Sequence, residues 1–127
     1  MKAHRVLIVE DDALLGVYLA ELLIGMGHEI CAIEATEADA VSAAAQRGPD
    51  LMIVDARLGH GSGVTAVEEI LRTGFVPHLF ITGNISRVMA LRPGAVVLEK
   101  PFREADLMHA IQRALDIVAT PLLAEPT

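Results

Sequence analysis

Val6-Leu7-Ile8-Val9-Glu10-Asp11-Asp12 runs four apolar residues straight into three acids. An uninterrupted apolar run of this length, rich in β-branched residues, reads as a strand covered on both faces, as in a parallel sheet. The acids then stand at its C-terminal end. The arrangement recurs along the chain. Leu51-Met52-Ile53-Val54 leads into Asp55, Leu79-Phe80-Ile81 into Thr82, and Val96-Val97-Leu98 into Glu99 and Lys100. Parallel strands share one C-terminal edge, so Glu10, Asp11, Asp55, Thr82 and Lys100 are expected to converge there. Three carboxylates, a hydroxyl and an ammonium would then meet at one place.

Amphipathic segments alternate with these runs, which argues for βα units. The first strand is expected over about Arg5 to Val9. The first helix follows from about Ala13 to Met26, with Asp12 as N-cap and Gly27 at its stop. A second strand runs from about Glu29 to Ile33. Thr36-Glu37-Ala38-Asp39 fits a capping box that opens a second helix ending before Gly48-Pro49. The third strand is Leu51 to Val54, and Gly59-His60-Gly61-Ser62-Gly63 reads as a loop. A third helix reaches about Thr73, with Gly74 just beyond it. The fourth strand is about His78 to Ile81 and the fifth Ala95 to Leu98. Between them, Pro93-Gly94 marks a turn. That leaves about two helical turns around Ser86 to Leu91, so the fourth helix is expected to be short or irregular. The last helix runs from about Glu104 to Val118, with Leu107, Ile111, Ala114, Leu115 and Val118 as its core stripe. These elements predict one domain over 1–120 and a frayed tail over 121–127.

Composition narrows the function. The chain has 127 residues, 53% of them apolar and 3% aromatic, and a formal charge of −7. Few aromatics and net negative charge argue against nucleic-acid binding. No apolar stretch is long enough to span a membrane, and the basic start is followed by too few apolar residues for a secretory signal. A reducing cytoplasm is the expected compartment. The single cysteine, Cys31, cannot form an intramolecular disulfide and reads as a small core residue. The five histidines show no metal-ligand spacing, and His60 reads as a solvated loop residue. Helix one carries more apolar residues than one buried stripe needs, and the surplus suits a docking surface for a partner helix.

The strand-end residues carry the chemistry. Three ionised carboxylates so close would repel, and a hard divalent cation such as Mg²⁺ resolves this by taking oxygen ligands. Asp55 is the candidate nucleophile, since a carboxylate can attack phosphorus to form an acyl phosphate. Lys100 suits a second phosphoryl oxygen as a mobile point charge, and the Thr82 hydroxyl a third. Gly83 leaves room for that approach. Taken singly, Asp55 is a turn residue, Thr82 a strand-end hydroxyl and Lys100 a solvated cation. Their common position at the strand ends is what sets them apart.

Four pieces, Val6-Leu7-Ile8-Val9-Glu10-Asp11-Asp12, Leu51-Met52-Ile53-Val54-Asp55, Ile81-Thr82-Gly83 and Lys100-Pro101-Phe102, together resemble the receiver domain of CheY-like response regulators of two-component systems. The resemblance covers about His4 to Val118. It implies a flavodoxin-like, doubly wound five-stranded parallel sheet in the order 2-1-3-4-5. It further implies that Asp55 accepts a phosphoryl group from a histidine kinase or a histidine phosphotransfer protein. Mg²⁺ would be served by Glu10, Asp11, Asp55 and the backbone carbonyl of Arg57, with Asp11 the direct ligand and Glu10 acting through water. Thr82 and Lys100 would sense the phosphoryl group, and the Lys100-Pro101 bond would be cis. The chain departs from the family in three ways. Val97 stands where an aromatic switch residue is usual, the loop after Asp55 lacks its common proline, and the fourth helix is truncated.

The resulting expectation is a stand-alone phosphoacceptor signalling protein, not a conventional enzyme, which acts on a downstream protein target or by onward phosphotransfer. Homodimerisation stays open. One rival is a receiver-fold interaction module that works without phosphorylation, disfavoured by the intact five-residue set. The other is a small-molecule phosphatase, disfavoured because Arg57 stands where a second acid is needed.

Overall fold

The computed structural model describes residues 2–117. In chain order the elements are β1 (Arg5–Val9), α1 (Ala13–Gly25), β2 (Glu29–Glu34), α2 (Glu37–Arg47), β3 (Leu51–Asp55), the two-residue strands β4 (Arg57–Leu58) and β5 (Gly61–Ser62), α3 (Gly63–Leu71), β6 (His78–Thr82), α4 (Ile85–Leu91), β7 (Val97–Glu99) and α5 (Glu104–Ile117). Five strands form one parallel sheet, ordered β2-β1-β3-β6-β7. With the small β4–β5 hairpin left out of the count, this is the expected 2-1-3-4-5 order. Val118 and the expected tail over 121–127 lie outside the described residues.

The strands alternate between two apolar layers, as the period of two requires. Val6, Ile8, Ile53, Leu79 and Ile81 face Leu19 and Leu23 of α1 and Leu107, Ile111 and Ala114 of α5. Leu7, Val9, Met52, Val54 and Phe80 face Ala40 and Ala43 of α2 and Val64, Val67 and Ile70 of α3. β1, β3 and β6 are therefore apolar on both faces, which is why their sequences show no polar alternation.

Local chemistry sets most helix ends. The Asp12 carboxylate caps α1, accepting from the N–H groups of Leu14 and Leu15 at 3.0 and 3.2 Å. α1 closes in a Schellman turn. The Gly27 N–H donates to the Ile24 carbonyl at 2.9 Å and the His28 N–H to Leu23 at 3.0 Å, with Gly27 at φ 97°. The Thr36 hydroxyl accepts from the Asp39 N–H at 3.1 Å to start α2.

Three expectations need correction. The stretch Gly59 to Gly63 is not simply a loop: Arg57 pairs with Ser62 and Leu58 with Gly61 in a short antiparallel hairpin, and Gly63 is already helical. Two β-pairs are too few to be seen as alternation in a sequence. α3 ends at Leu71, before Thr73, because Arg72 and Thr73 bond back three residues, to Glu69 and Ile70, and tighten the last turn. Cys31 is half-buried, since it lies on the edge strand β2 where one flank is open. The short fourth helix is present as seven residues with Val88 its one buried side chain.

Candidate functional site

The parallel register carries β1, β3, β6 and β7 to a common edge. Backbone bonds hold the chain just past β1, β3 and β7. The Glu10 N–H donates to Glu34 at 2.8 Å, Ala56 to Ile81 at 2.9 Å and Lys100 to Thr82 at 2.9 Å. Carboxylate oxygens of Glu10, Asp11 and Asp55 consequently lie within 4.8 Å of one another. Glu10 and Asp55 are buried and Asp11 is exposed. These acids, with Thr82 and Lys100, line a cleft of about 920 Å³.

Asp55 is held from two sides. Its Oδ2 accepts from the Lys100 Nζ at 2.8 Å, and its Oδ1 from the Arg57 N–H at 2.8 Å. Burial opposes the Lys100 charge, but the hydrogen bond and charge of Asp55, with Glu10 and Asp11 beyond, outweigh it and hold that pKa above its ordinary value. Glu10 is under the opposite stress. Its Oε2 accepts from the Asp12 N–H at 3.1 Å, while its Oε1 is buried with no hydrogen-bond partner among the described residues. Burial, reinforced by the neighbouring Asp55, pushes its pKa up to about 8. An orphaned buried oxygen beside two further carboxylates is the donor set a hard divalent cation takes.

The remaining predicted residues are placed less directly. The Thr82 hydroxyl is engaged within its own turn, accepting from the Asn84 N–H at 2.9 Å and donating to the Asn84 carbonyl at 3.3 Å. Gly83 is exposed, and a side chain there would meet nothing within 4 Å. Space exists as expected, but packing does not require a glycine. Arg57 lies on the hairpin with its N–H on Asp55. Val97 is half-buried and pairs with Phe80 across β6 and β7. His60 is exposed, and the Lys100–Pro101 bond is cis. On α1, Leu14 is 84% and Val17 53% exposed, so the apolar surplus does face outward.

Two positioning groups escaped the sequence reading. Gly63 starts α3 against the end of β3, with its N–H on the Ala56 carbonyl at 3.0 Å and no room for a side chain. Glu37, at the start of α2, accepts from the Ser62 N–H at 2.6 Å. The glycines at 59, 61 and 63 alternate, which was the one visible sign of a hairpin and a close approach.

This geometry can hold a cation, present a carboxylate to phosphorus and offset the added charge with an ammonium. Residues 6–112 match the response regulator receiver domain family. The chain belongs to that family. The receiver domain is 36% identical over 117 residues to the phyllosphere-induced regulator PhyR of Methylorubrum extorquens, covering 89% of this chain and 44% of PhyR. It is 36% identical to the transcriptional regulatory protein PdtaR of Mycobacterium tuberculosis, covering 88% of this chain and 57% of PdtaR. It is 30% identical to the chemotaxis protein CheY of Bacillus subtilis, covering 90% of this chain and 99% of CheY. The receiver domain thus spans about half the length of PhyR and PdtaR and nearly all of CheY. Among solved structures, the PhyR receiver domain of Erythrobacter litoralis superposes with a TM-score of 0.83 at 35% identity, covering 100% of this chain and 97% of that one. Among the described residues, no helix is long and apolar enough to cross a membrane.

Proposed function

We propose that this receiver domain takes a phosphoryl group on Asp55 from a histidine kinase or histidine phosphotransfer protein and signals through altered binding of a protein target. The observation that carries the reading is the pairing of the three-carboxylate cluster with Lys100 on Asp55. Glu10, Asp11, Asp55 and the Arg57 carbonyl would hold Mg²⁺, which when bound neutralises charge on the transferred group. In the transfer, an Asp55 oxygen forms a bond to phosphorus and the bond from phosphorus to the donor breaks, leaving a mixed anhydride. The Arg57 N–H aims the carboxylate through its other oxygen, and burial keeps competing water away. Lys100 then shifts from the carboxylate to a phosphoryl oxygen.

Thr82 supplies the route outward. To donate to the phosphoryl group its hydroxyl must give up the Asn84 carbonyl, and Asn84 is the N-cap of α4, accepting from the Arg87 N–H at 3.1 Å. Phosphorylation therefore reorganises residues 83–94 and with them the partner surface. Val97 in place of an aromatic residue puts the burden of the change on this segment. The exposed apolar face of α1, beside the cleft, suits a partner helix. This chemistry fits a cytoplasmic protein.

Acetyl phosphate with Mg²⁺, followed by intact-mass measurement, tests the proposal. Wild type should gain one phosphoryl group and Asp55→Asn none. Equal labelling of Asp55→Asn, or none of wild type, would defeat the assignment.

A further inference from the structure

We infer that Glu37 is a positioning residue for the phosphoacceptor: its carboxylate, reaching across from α2, clamps the β4–β5 hairpin so that the Arg57 N–H can hold Asp55. The inference rests on the reading of Asp55 as phosphoacceptor. A hairpin of two residue pairs has little stability of its own and needs an external anchor. Glu37 supplies one. Its Oε2 accepts from the Ser62 N–H at 2.6 Å, a charge-assisted bond between positions 25 residues apart. Ser62 stands opposite Arg57 in the hairpin, and the Arg57 N–H reaches Asp55 Oδ1 at 2.8 Å. Three consecutive contacts thus link the first turn of α2 to the reacting carboxylate.

Gly61 supplies independent support. Its φ is not in the left-handed region, so the backbone alone does not call for glycine. A Cβ at that position would lie 2.5 Å from Glu37 Oε2 and 3.1 Å from its Cδ and Cγ. The missing side chain is the space the Glu37 carboxylate occupies. Alanine at 61 would displace the end of a flexible side chain, which is cheap for the fold and disruptive for the clamp. Glu37 also lies in the first turn of α2, where any acid favours the helix dipole. That role predicts a change in helix stability and none at Asp55.

The test compares wild type, Glu37→Ala, Glu37→Gln, Gly61→Ala and the Glu37→Ala/Gly61→Ala double variant. Each is scored for the rate of acetyl phosphate labelling in Mg²⁺ and, without any phosphodonor, for the amide ¹⁵N–¹H shifts of Arg57 and Ser62. Glu37→Ala and Gly61→Ala should each slow labelling on the order of tenfold, as loss of an outer-shell partner does. Glu37→Gln keeps an acceptor oxygen and should recover most of the rate. Gly61→Ala should add little once Glu37 is alanine, because its collision partner is gone. Both single variants should move the Arg57 and Ser62 amides. Wild-type labelling with unaltered rates and shifts in the variants would overturn the clamp. So would rate losses that multiply in the double variant, or a Glu37→Gln as slow as Glu37→Ala. Failure of wild type itself to label would instead remove the phosphoacceptor reading beneath it, while the amide shifts would still score the clamp.

Discussion

Gly63→Ala should damage this fold more than any surface change of similar size. Gly63 is buried where α3 begins, directly against the last residues of β3. A Cβ built there would overlap the Asp55 carbonyl oxygen and lie 2.6 Å from Val54 Cγ1 and 2.9 Å from the Asp55 carbonyl carbon. Ordinary contact begins at 3.4 Å. Clearing Val54 alone would move α3 by about 0.8 Å, and clearing the carbonyl oxygen would move it further. Neither neighbour can yield, since Val54 is wholly buried and the carbonyl is backbone of a central strand. Overpacking of this kind costs about 1–3 kcal/mol, offset by less than about 1 kcal/mol from the better helix propensity of alanine. We expect a net loss of about 2 kcal/mol. For a domain of this size that lowers Tm by roughly 6–12 °C, measured by circular dichroism. Gly25→Ala is the control: it ends α1 with nothing within 4 Å of an added Cβ, and should raise stability by about 0.4–1 kcal/mol. If Gly63→Ala melted within about 2 °C of wild type, the close approach of α3 to β3 would be wrong.

Two further outcomes are expected. Thermal unfolding in Mg²⁺ should lie above that in EDTA, approaching about 2.7 kcal/mol of added stability at a hundred times the dissociation constant. The gain should shrink in Glu10→Gln, and a Tm indifferent to Mg²⁺ in wild type would deny the cation site. His28 should make the protein acid-sensitive. It is buried, its Nδ1 accepts from the His4 N–H at 3.1 Å, and burial, aided by the neighbouring His4, lowers its pKa below the usual 6.5. The unfolded chain then takes up the proton first. The contribution of His28 is whole above pH 6.5 and is lost as pH falls through that value toward its lower folded pKa. Denaturant titrations across this range, run in a Glu10→Gln background to remove the opposite contribution of the raised Glu10 carboxyl, should show declining stability and a shallower decline once His28→Leu is added, with His78, also lowered by burial, supplying the remainder. An identical slope in the variant would exclude His28 as the source.

The sheet and its functional edge were legible because their signal is local. β1, β3 and β6 are apolar through their centres, so both faces had to be covered, and a parallel arrangement followed. Once that is granted, a residue just past each strand must lie on the common edge. Glu10, Asp11, Asp55 and Lys100 needed only strand assignments to be brought together. What could not be read depends on contacts between distant segments. Glu37 and Ser62 are paired by the packing of α2 beside the hairpin, and nothing within either segment announces it. Gly63 is glycine because of the Asp55 carbonyl, yet in sequence it is one more glycine in a glycine-rich stretch. Cys31 lies in an apolar run like those of the central strands. Its partial exposure follows from β2 being an edge strand, a property of strand order and not of composition.

Contacts around Asp55 set where a change there would travel. Besides α1, capped by Asp12, two helices begin at the cleft, and each is capped by a polar residue that follows a strand or hairpin. Ser62 caps α3, with its Oγ on the Val64 and Thr65 N–H groups at 3.1 and 3.3 Å, and Asn84 caps α4. α3 buries Gly63, Val64, Ala66, Val67 and Ile70, whereas α4 buries Val88 alone. Buried apolar area resists displacement, so α3 is the fixed wall of the site and α4 the element with least to lose by moving. The Thr82 hydroxyl is already bonded to the residue that caps α4 and has no comparable bond to α3. A negative phosphoryl group added among three acids and one ammonium must recruit further donors, and the Thr82 hydroxyl lies on the same cleft. Recruiting its proton releases the Asn84 carbonyl, to which it now donates at 3.3 Å, and so acts on the weaker helix. On the proposed phosphorylation, the small buried area of α4 is what would let a single hydroxyl act on it with valine, not an aromatic side chain, at position 97.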